Sequence, residues 1–245
     1  MSETWHQHRK NQNHEDLIDA GRELFLTHGF PGISVKDVCE QAGVSRVTYY
    51  KHFESIEDLV FAVQMRALEH MSDFVQAEDA THGSRGGGAT RLRRMLEAWS
   101  TYAAVNKAYM RFILLFDLHY DAYPPDQKLL DRYDAFIRSK KEHHFLNDAL
   151  EAGMRDGSLR SDLNVYETGE FVFTAMMGLL QKLSLTGGVA LAGSAQAEAG
   201  AGGGEVEAVA PARVPASSAV FADAQRSGIS RRFIEMIIGS LRVTD

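Results

Sequence analysis

The residues from Arg46 to His52 carry side chains that can bind nucleic acid. This RVTYYKH segment combines three potential cations with a threonine and two tyrosines. Guanidinium and ammonium groups bind phosphate oxygens, arginine can donate two hydrogen bonds to the edge of guanine, and hydroxyl groups bind phosphates or bases. The same spacing is also typical of a short amphipathic helix in which Val47, Tyr50 and Phe53 fill a core. On this segment alone, both interpretations stand.

The segment lies among four predicted helices. The first has an apolar stripe at spacings of three and four and ends at Gly29, with its stripe formed by Leu17, Gly21, Leu24, Phe25 and His28. Serines that can cap helices begin the others, which are predicted at Val35–Gln41, from Ser45 to about His52, and from Ser55 to about Ala77. The second and third helices, with Ala42-Gly43-Val44 between them, have the lengths of a helix-turn-helix, whose second helix enters the major groove.

The segment Leu24–Leu59, LFLTHGFPGISVKDVCEQAGVSRVTYYKHFESIEDL, resembles the TetR family of bacterial repressors without a gap. The family pattern ends in Ala-Gly-Val-Ser-x-Gly-x-x-Tyr-x-x-Phe-x-Ser-Lys-Glu-x-Leu. The resemblance implies an all-α fold, with an N-terminal three-helix helix-turn-helix domain and a larger C-terminal helical domain for ligand binding and dimerisation. It also implies a homodimer that binds double-stranded DNA at a palindromic operator and is released by a small-molecule effector.

The resemblance assigns DNA contacts to residues of the second and third helices. Tyr50 matches the tyrosine that usually reaches a phosphate, and Arg46 is the best candidate for binding guanine. Tyr49 is expected to pack inward. The full predicted set is Ser34, Ser45, Arg46, Val47, Thr48, Tyr50, Lys51 and His52. Two departures weaken or alter DNA binding: Val47 replaces the common glycine, and Ile56 replaces the usual lysine.

The predicted domains are a flexible N-terminus at 1–12, the DNA-binding domain at 13–58 and the regulatory domain at 59–245. Glycine-rich composition predicts a flexible connection at 78–89, and small residues predict disorder at 186–228. Further helices are predicted at 91–105, 106–119, 126–156, 165–185 and 230–241.

The resemblance places an effector among the middle helices and a dimer interface on the last two. The aromatic side chains that would suit an apolar effector are Trp99, Tyr102, Phe112, Phe116, His119 and Tyr120. The stripes that would pair across a two-fold axis are Phe171, Met176, Leu179 and Leu183, followed by Phe233, Ile237 and Leu241. Core packing within one chain is the alternative for both sets.

Other classes of function find little support. The net charge is −7, and residues 1–56 contain six Lys and Arg against eight Asp and Glu, so local placement of cations must provide any DNA affinity.

The single cysteine, Cys39, excludes an intrachain disulfide. Neither a cofactor nor a metal is predicted, because the histidines of His143-His144 and of His6-x-His8 lack convincing ligand geometry.

An enzyme is not favoured, since Gly86-Gly87-Gly88 lacks the lysine of a phosphate-binding loop. The apolar run 171–180 is half as long as the roughly 20 residues of a membrane span, and the first residues do not resemble a signal peptide, so a cytoplasmic protein is expected. A helix-turn-helix regulator that has lost DNA binding remains the alternative, because of Val47, Ile56 and the acidic balance.

Overall fold

The computed structural model describes residues 2–82, 86–142, 145–197 and 216–243, and this part of the chain contains helices and no strand, as the sequence predicts. For 2–9, 82, 141–142, 186–197 and 216–227 only the backbone is described. The helices are α1 (Ser2–His28), α2 (Val35–Ala42), α3 (Arg46–Tyr49), α4 (Ile56–His82), α5 (Gly87–Val105), α6 (Lys107–Ala122), α7 (Gln127–Glu142), α8 (Phe145–Arg155), α9 (Val165–Ala197) and α10 (Ala216–Leu241).

Several predicted boundaries were wrong. The N-terminus at 1–12 was predicted to be flexible, but α1 begins at Ser2, and residues 2–13 contain no glycine or proline that would interrupt the helix. The helix predicted at 126–156 is two helices, α7 and α8, and His143 and His144 lie outside the described residues.

The segment 186–228 was predicted to be disordered, but α9 continues to Ala197 and α10 begins at Ala216. Adding alanine-rich turns to an existing helix avoids the cost of nucleation. The rest of this prediction, 198–215, lies outside the described residues.

The chain forms two compact units. The first unit comprises Met1–Asp73 and Ala108–His144, and the second comprises Phe74–Lys107 and Phe145–Asp245. The predicted functional division into 13–58 and 59–245 differs from this division into units, because nearly all of α6 and all of α7 belong to the first unit with the helix-turn-helix.

The first unit has a core of aliphatic and aromatic side chains contributed by α1 to α4, α6 and α7. Leu17, Tyr49 and Leu59 are fully buried in it. Gly21 allows α4 to approach α1, since a Cβ at this position would lie 2.9 Å from Cδ2 of Leu59. The helix-turn-helix is therefore held by long-range packing as well as by its own caps.

The predicted flexible connection 78–89 falls in the second unit, and 83–85 lie outside the described residues. Residues 78–82 belong to α4, and α5 begins at Gly87. A Cβ on Gly88 would lie 1.9 Å from the backbone nitrogen of Gly153, so α5 and α8 approach closely where glycine leaves room. The backbone N–H of Gly88 also donates to Asp156 Oδ2 at 2.7 Å. The prediction mistook close helix packing for flexibility, because both use glycine.

Candidate nucleic-acid interface

The bend between α2 and α3 is built from local caps. The Ser34 hydroxyl oxygen accepts a hydrogen bond from the Asp37 N–H, while the Asp37 carboxylate accepts from the Ser34 N–H at 2.8 Å, which completes the predicted capping box. Gly43 then ends α2 in the left-handed region, at φ 67°. Ser45 Oγ accepts from the Thr48 N–H at 3.1 Å and starts α3.

Tyr49 anchors α3 to the core. Its side chain is fully buried, and its hydroxyl donates to the Ser55 carbonyl oxygen at 2.8 Å. Burial of this phenol raises the pKa of Tyr49. The inward position predicted for Tyr49 is confirmed, and this anchor determines which side of α3 faces outward.

The alternative in which α3 only fills a core is wrong for two of its three residues. Val47 is 70% exposed and Tyr50 is 59% exposed, whereas Phe53 is buried. The helix predicted from Ser45 to about His52 is shorter in the structure, because α3 ends at Tyr49 and 50–52 form a turn. The exposed apolar and aromatic side chains of α3 and this turn leave a surface that can contact another molecule.

The predicted DNA-binding residues occupy this surface to different degrees. Arg46 and Lys51 are exposed, while Thr48 and His52 are half-buried. Within the described part of the chain, no ion pair engages Arg46 or Lys51.

Ser34 and Ser45 are exposed, but their hydroxyl groups cap helices. The Asp37 carboxylate also lies at the start of α2, where a phosphate would otherwise be attracted. The hydrogen bond from Ser34 lowers the pKa of Asp37, which keeps this carboxylate charged.

Sequence reasoning missed two residues of α1 beside α3. The ring of His14 lies 5.6 Å from that of His52 and stacks on Phe53 at 5.0 Å. Burial lowers the pKa of His52, and the positive charges of His14 and Lys10 lower it further. His52 is therefore neutral near pH 7. The spacing of Lys10 and His14 by four residues could have placed them on one helix face, had α1 been predicted to begin earlier.

The acidic balance of this region is offset by pairing within the first unit. Carboxylates that pair with lysine or arginine are Glu15 with Arg66, Asp19 with Arg22, Glu40 with Lys36, Glu54 with Lys128, and Asp58 with Arg132. Pairing reduces the repulsion that these carboxylates would exert on a phosphate backbone, although exposed pairs contribute little to stability.

The two departures from the family pattern have different surroundings. Val47 extends into solvent. Ile56 packs against the core of the first unit as a partly buried side chain. Where the family pattern has a lysine, this chain has an apolar contact at the start of α4.

The predicted effector residues fall into both units. In the first unit, Phe112 and Phe116 are buried, while His119 and Tyr120 are half-buried. Their rings belong to an aromatic cluster with Phe30, Phe61 and Tyr133. In the second unit, Trp99 and Tyr102 are fully buried, and their rings lie 5.1 Å from Phe173 and 5.5 Å from Phe74, respectively.

The predicted dimer residues divide between core and surface of the second unit. Met176, Ile237 and Leu241 are buried within the chain, so packing inside one chain accounts for them. Phe171 is 65% exposed, and the partly exposed residues are Leu179, Leu183 and Phe233. Further exposed apolar side chains on α10 are Ile229 and Met236.

The described residues include neither a membrane-spanning helix nor a cluster of metal ligands. No helix there has the length and apolar character needed to cross a membrane. No group of histidine, cysteine or carboxylate side chains there could hold a metal ion. Cys39 is buried, and this burial raises the pKa of its thiol.

The capped α2, the glycine turn and the outward face of α3 define a helix-turn-helix DNA-binding domain. The family model described as bacterial regulatory proteins, tetR family, matches residues 17–63. The resemblance to the TetR family that the sequence predicts is therefore confirmed for this N-terminal segment.

Proteins similar to this chain include both repressors and activators. The transcriptional repressor KstR2 of Rhodococcus jostii is 26% identical over 162 residues, which cover 64% of this chain and 72% of the repressor. The transcriptional activator FasR of Mycolicibacterium smegmatis is 30% identical over 91 residues, which cover 37% of this chain and 40% of the activator.

Solved structures are similar in fold. A TetR-family regulator from Cytophaga hutchinsonii has a TM-score of 0.61 at 15% identity, with 97% of this chain and 98% of that chain covered. The fatty acid degradation regulator FadR from Bacillus halodurans has a TM-score of 0.60 at 14% identity, with 95% and 97% covered.

Proposed function

We propose that this regulator is a homodimeric repressor that binds a palindromic operator and leaves it when a small-molecule effector binds. The observation that carries the DNA-binding part is the outward surface of α3 and the turn that follows it, where Arg46, Val47, Tyr50 and Lys51 are exposed around the buried anchor Tyr49. KstR2, which is similar over most of the chain, is named a repressor. The bacterial cytoplasm, where an operator lies, is the proposed location.

In this proposal the side chains of α3 divide the work. Arg46 donates to a guanine edge, Lys51 and Tyr50 bind phosphates, and Val47 contacts an apolar group in the groove, such as a thymine methyl. Thr48 and the neutral His52, which are half-buried, form hydrogen bonds only with DNA groups that come close to the protein surface. Ser34 and Ser45 contribute mainly by holding the helix starts.

A second copy of the chain is the proposed occupant of the apolar face of α9 and α10. The side chains that would meet the second copy are Phe171, Leu179, Leu183, Phe233 and Met236. Gly178 and Gly239 lie on the same two helices, and a Cβ at either position would meet no atom of the described residues within 4 Å. A partner helix can approach closely at such positions, which supports an isologous dimer interface.

Release by an effector requires only a modest coupling energy. A hundredfold loss of operator affinity corresponds to about 2.8 kcal/mol, which one buried ligand can supply. The effector would favour a dimer whose two α3 helices no longer match successive major grooves.

The experiment begins with selection of genomic fragments by the purified protein. Arg46→Ala is expected to weaken binding to the selected fragment about tenfold to a hundredfold, since a bidentate contact contributes about 1–3 kcal/mol. Tyr50→Phe should cost about fivefold by losing one hydrogen bond. The control is Arg66→Ala, which removes a cation of α4 that pairs with Glu15 of α1 and is not among the proposed DNA contacts.

The results separate the alternatives. Loss of binding in the two α3 variants, with normal binding by the control, supports the proposed DNA contacts. If the unaltered protein selects no fragment even at low salt, the helix-turn-helix has lost DNA binding and the proposal is wrong.

A further inference from the structure

Gln64 of α4 is a polar side chain in an apolar part of the first unit. Its residue is 1% exposed, and its Nε2 donates to the Tyr133 hydroxyl of α7 at 3.3 Å. No hydrogen-bond partner for its Oε1 exists in the described structure. Buried amide oxygens are nearly always hydrogen-bonded, so this atom is an acceptor available to a ligand.

The neighbours of this amide are aromatic. Phe61 lies three residues earlier on the same face of α4. The Tyr133 ring is 5.3 Å from that of Phe61 and 5.4 Å from that of Phe116. Tyr120 is 4.7 Å from Phe61 and 4.8 Å from Phe116. Tyr120 and Tyr133 are only half-buried, so the cluster extends toward solvent on the α6 and α7 side.

The charge of a matching ligand is limited by this environment. Burial, together with the carboxylates of Asp117 and Asp134, raises the pKa of Tyr133 to about 12, although the hydrogen bond from Gln64 lowers it. Tyr133 therefore keeps its proton at neutral pH. The same two carboxylates disfavour an anionic ligand near this tyrosine.

The Gln64 amide determines which polar group the ligand must carry. Oε1 requires a hydrogen-bond donor. In the reverse orientation of the amide, its NH2 group would require an acceptor instead. A hydroxyl group can serve in both roles, whereas a hydrocarbon can serve in neither.

We propose that Gln64 hydrogen-bonds the hydroxyl group of an apolar or aromatic effector that binds against Phe61, Phe116, Tyr120 and Tyr133. This inference rests on the proposed function, because it names the chemistry of the effector and the side chain that selects it. Gln64 then discriminates between an alcohol or phenol and a hydrocarbon of the same shape.

The test compares two probes of nearly equal shape, 4-fluorophenol and 4-fluorotoluene, by ¹⁹F NMR titration. The unaltered protein is expected to bind 4-fluorophenol about tenfold more tightly than 4-fluorotoluene, as one satisfied buried acceptor allows. Gln64→Leu should abolish this preference while still binding 4-fluorotoluene. The matched control is Gln127→Leu, which removes an exposed amide of α7 that bonds Asp131.

The outcomes distinguish ligand selection from a structural role of Gln64. Thermal unfolding establishes that Gln64→Leu folds, and its binding of 4-fluorotoluene establishes that the aromatic site is intact. The inference is overturned if the unaltered protein binds neither probe, or if Gln64→Leu keeps the preference. Operator binding is measured on the same preparations, so that loss of this inference with intact operator binding leaves the proposed function standing.

Discussion

Replacing Arg132 by methionine should weaken operator binding although Arg132 lies on α7. Arg132 pairs with Asp58, and Lys128, four residues earlier on the same helix face, pairs with Glu54. The Asp58 carboxylate also accepts from the Glu54 N–H at 3.0 Å. Glu54 directly precedes Ser55, and Asp58 follows it by three residues. The Ser55 carbonyl oxygen accepts a hydrogen bond from the buried Tyr49 hydroxyl. Arg132 therefore stabilises the turn that holds α3.

The burial of each ion pair determines how much free energy its loss is expected to cost. The Asp58 side chain is 12% exposed and that of Arg132 is 49% exposed. Breaking a buried pair costs about 3–5 kcal/mol and an exposed one about 0–1 kcal/mol, so a half-exposed pair should cost about 1–2 kcal/mol. If DNA binding must restore the order of the turn, affinity falls about fivefold to thirtyfold. The control Lys128→Met breaks a pair whose side chains are 73% and 75% exposed, and should cost less than about twofold.

Fluorescence anisotropy with the selected operator measures this effect, and a salt titration identifies its origin. Because Arg132 acts through Asp58 and not on phosphate, Arg132→Met should leave the slope of log affinity against log salt unchanged. The reasoning is refuted if Arg132→Met binds as tightly as the unaltered protein, or if both variants weaken binding equally. A shallower salt slope would also refute it, since Arg132 would then contact DNA directly.

Three other perturbations test separate features. Gly88→Ala should destabilise the second unit by about 3 kcal/mol or more, since the new Cβ meets the Gly153 backbone. The control is Gly157→Ala, where the left-handed backbone is strained for alanine but the new Cβ has no described neighbour within 4 Å. An unchanged denaturation midpoint for Gly88→Ala would contradict this close approach. Gly178→Arg should shift the dimer to monomer in sedimentation equilibrium, whereas the control Ser161→Arg, at an exposed turn, should not. If the unaltered protein is already monomeric at micromolar concentration, this interface is wrong. For His52, the lowered pKa means that the unfolded chain binds the proton more readily. Its contribution to stability is therefore complete above the ordinary histidine pKa and declines as pH falls through the folded pKa. The difference in unfolding free energy between the unaltered protein and His52→Gln should decrease between about pH 7 and pH 5, and a constant difference would oppose the burial of this imidazole.

Local signals in the sequence were enough to predict the helix-turn-helix. Ser34 with Asp37, Gly43, and Ser45 act within three or four residues, and the structure contains each of these caps and the turn. The inward position of Tyr49 followed from the resemblance to the TetR family and is confirmed. The DNA contacts, the effector and the dimer stay predictions, because they depend on partners outside the chain.

Other features depend on residues far apart in the chain, and only the tertiary structure decided them. Composition suggested a flexible glycine segment, but Gly88 packs against Gly153. The amide of Gln64 meets the Tyr133 hydroxyl, and Arg132 meets Asp58, across separations of 69 and 74 positions. Periodicity places a side chain on one face of its own helix, whereas its partner is set by how the helices pack. The sequence alone determined the helix-turn-helix, and tertiary packing determined which residues surround it, pair with its acidic side chains and leave Gln64 Oε1 available.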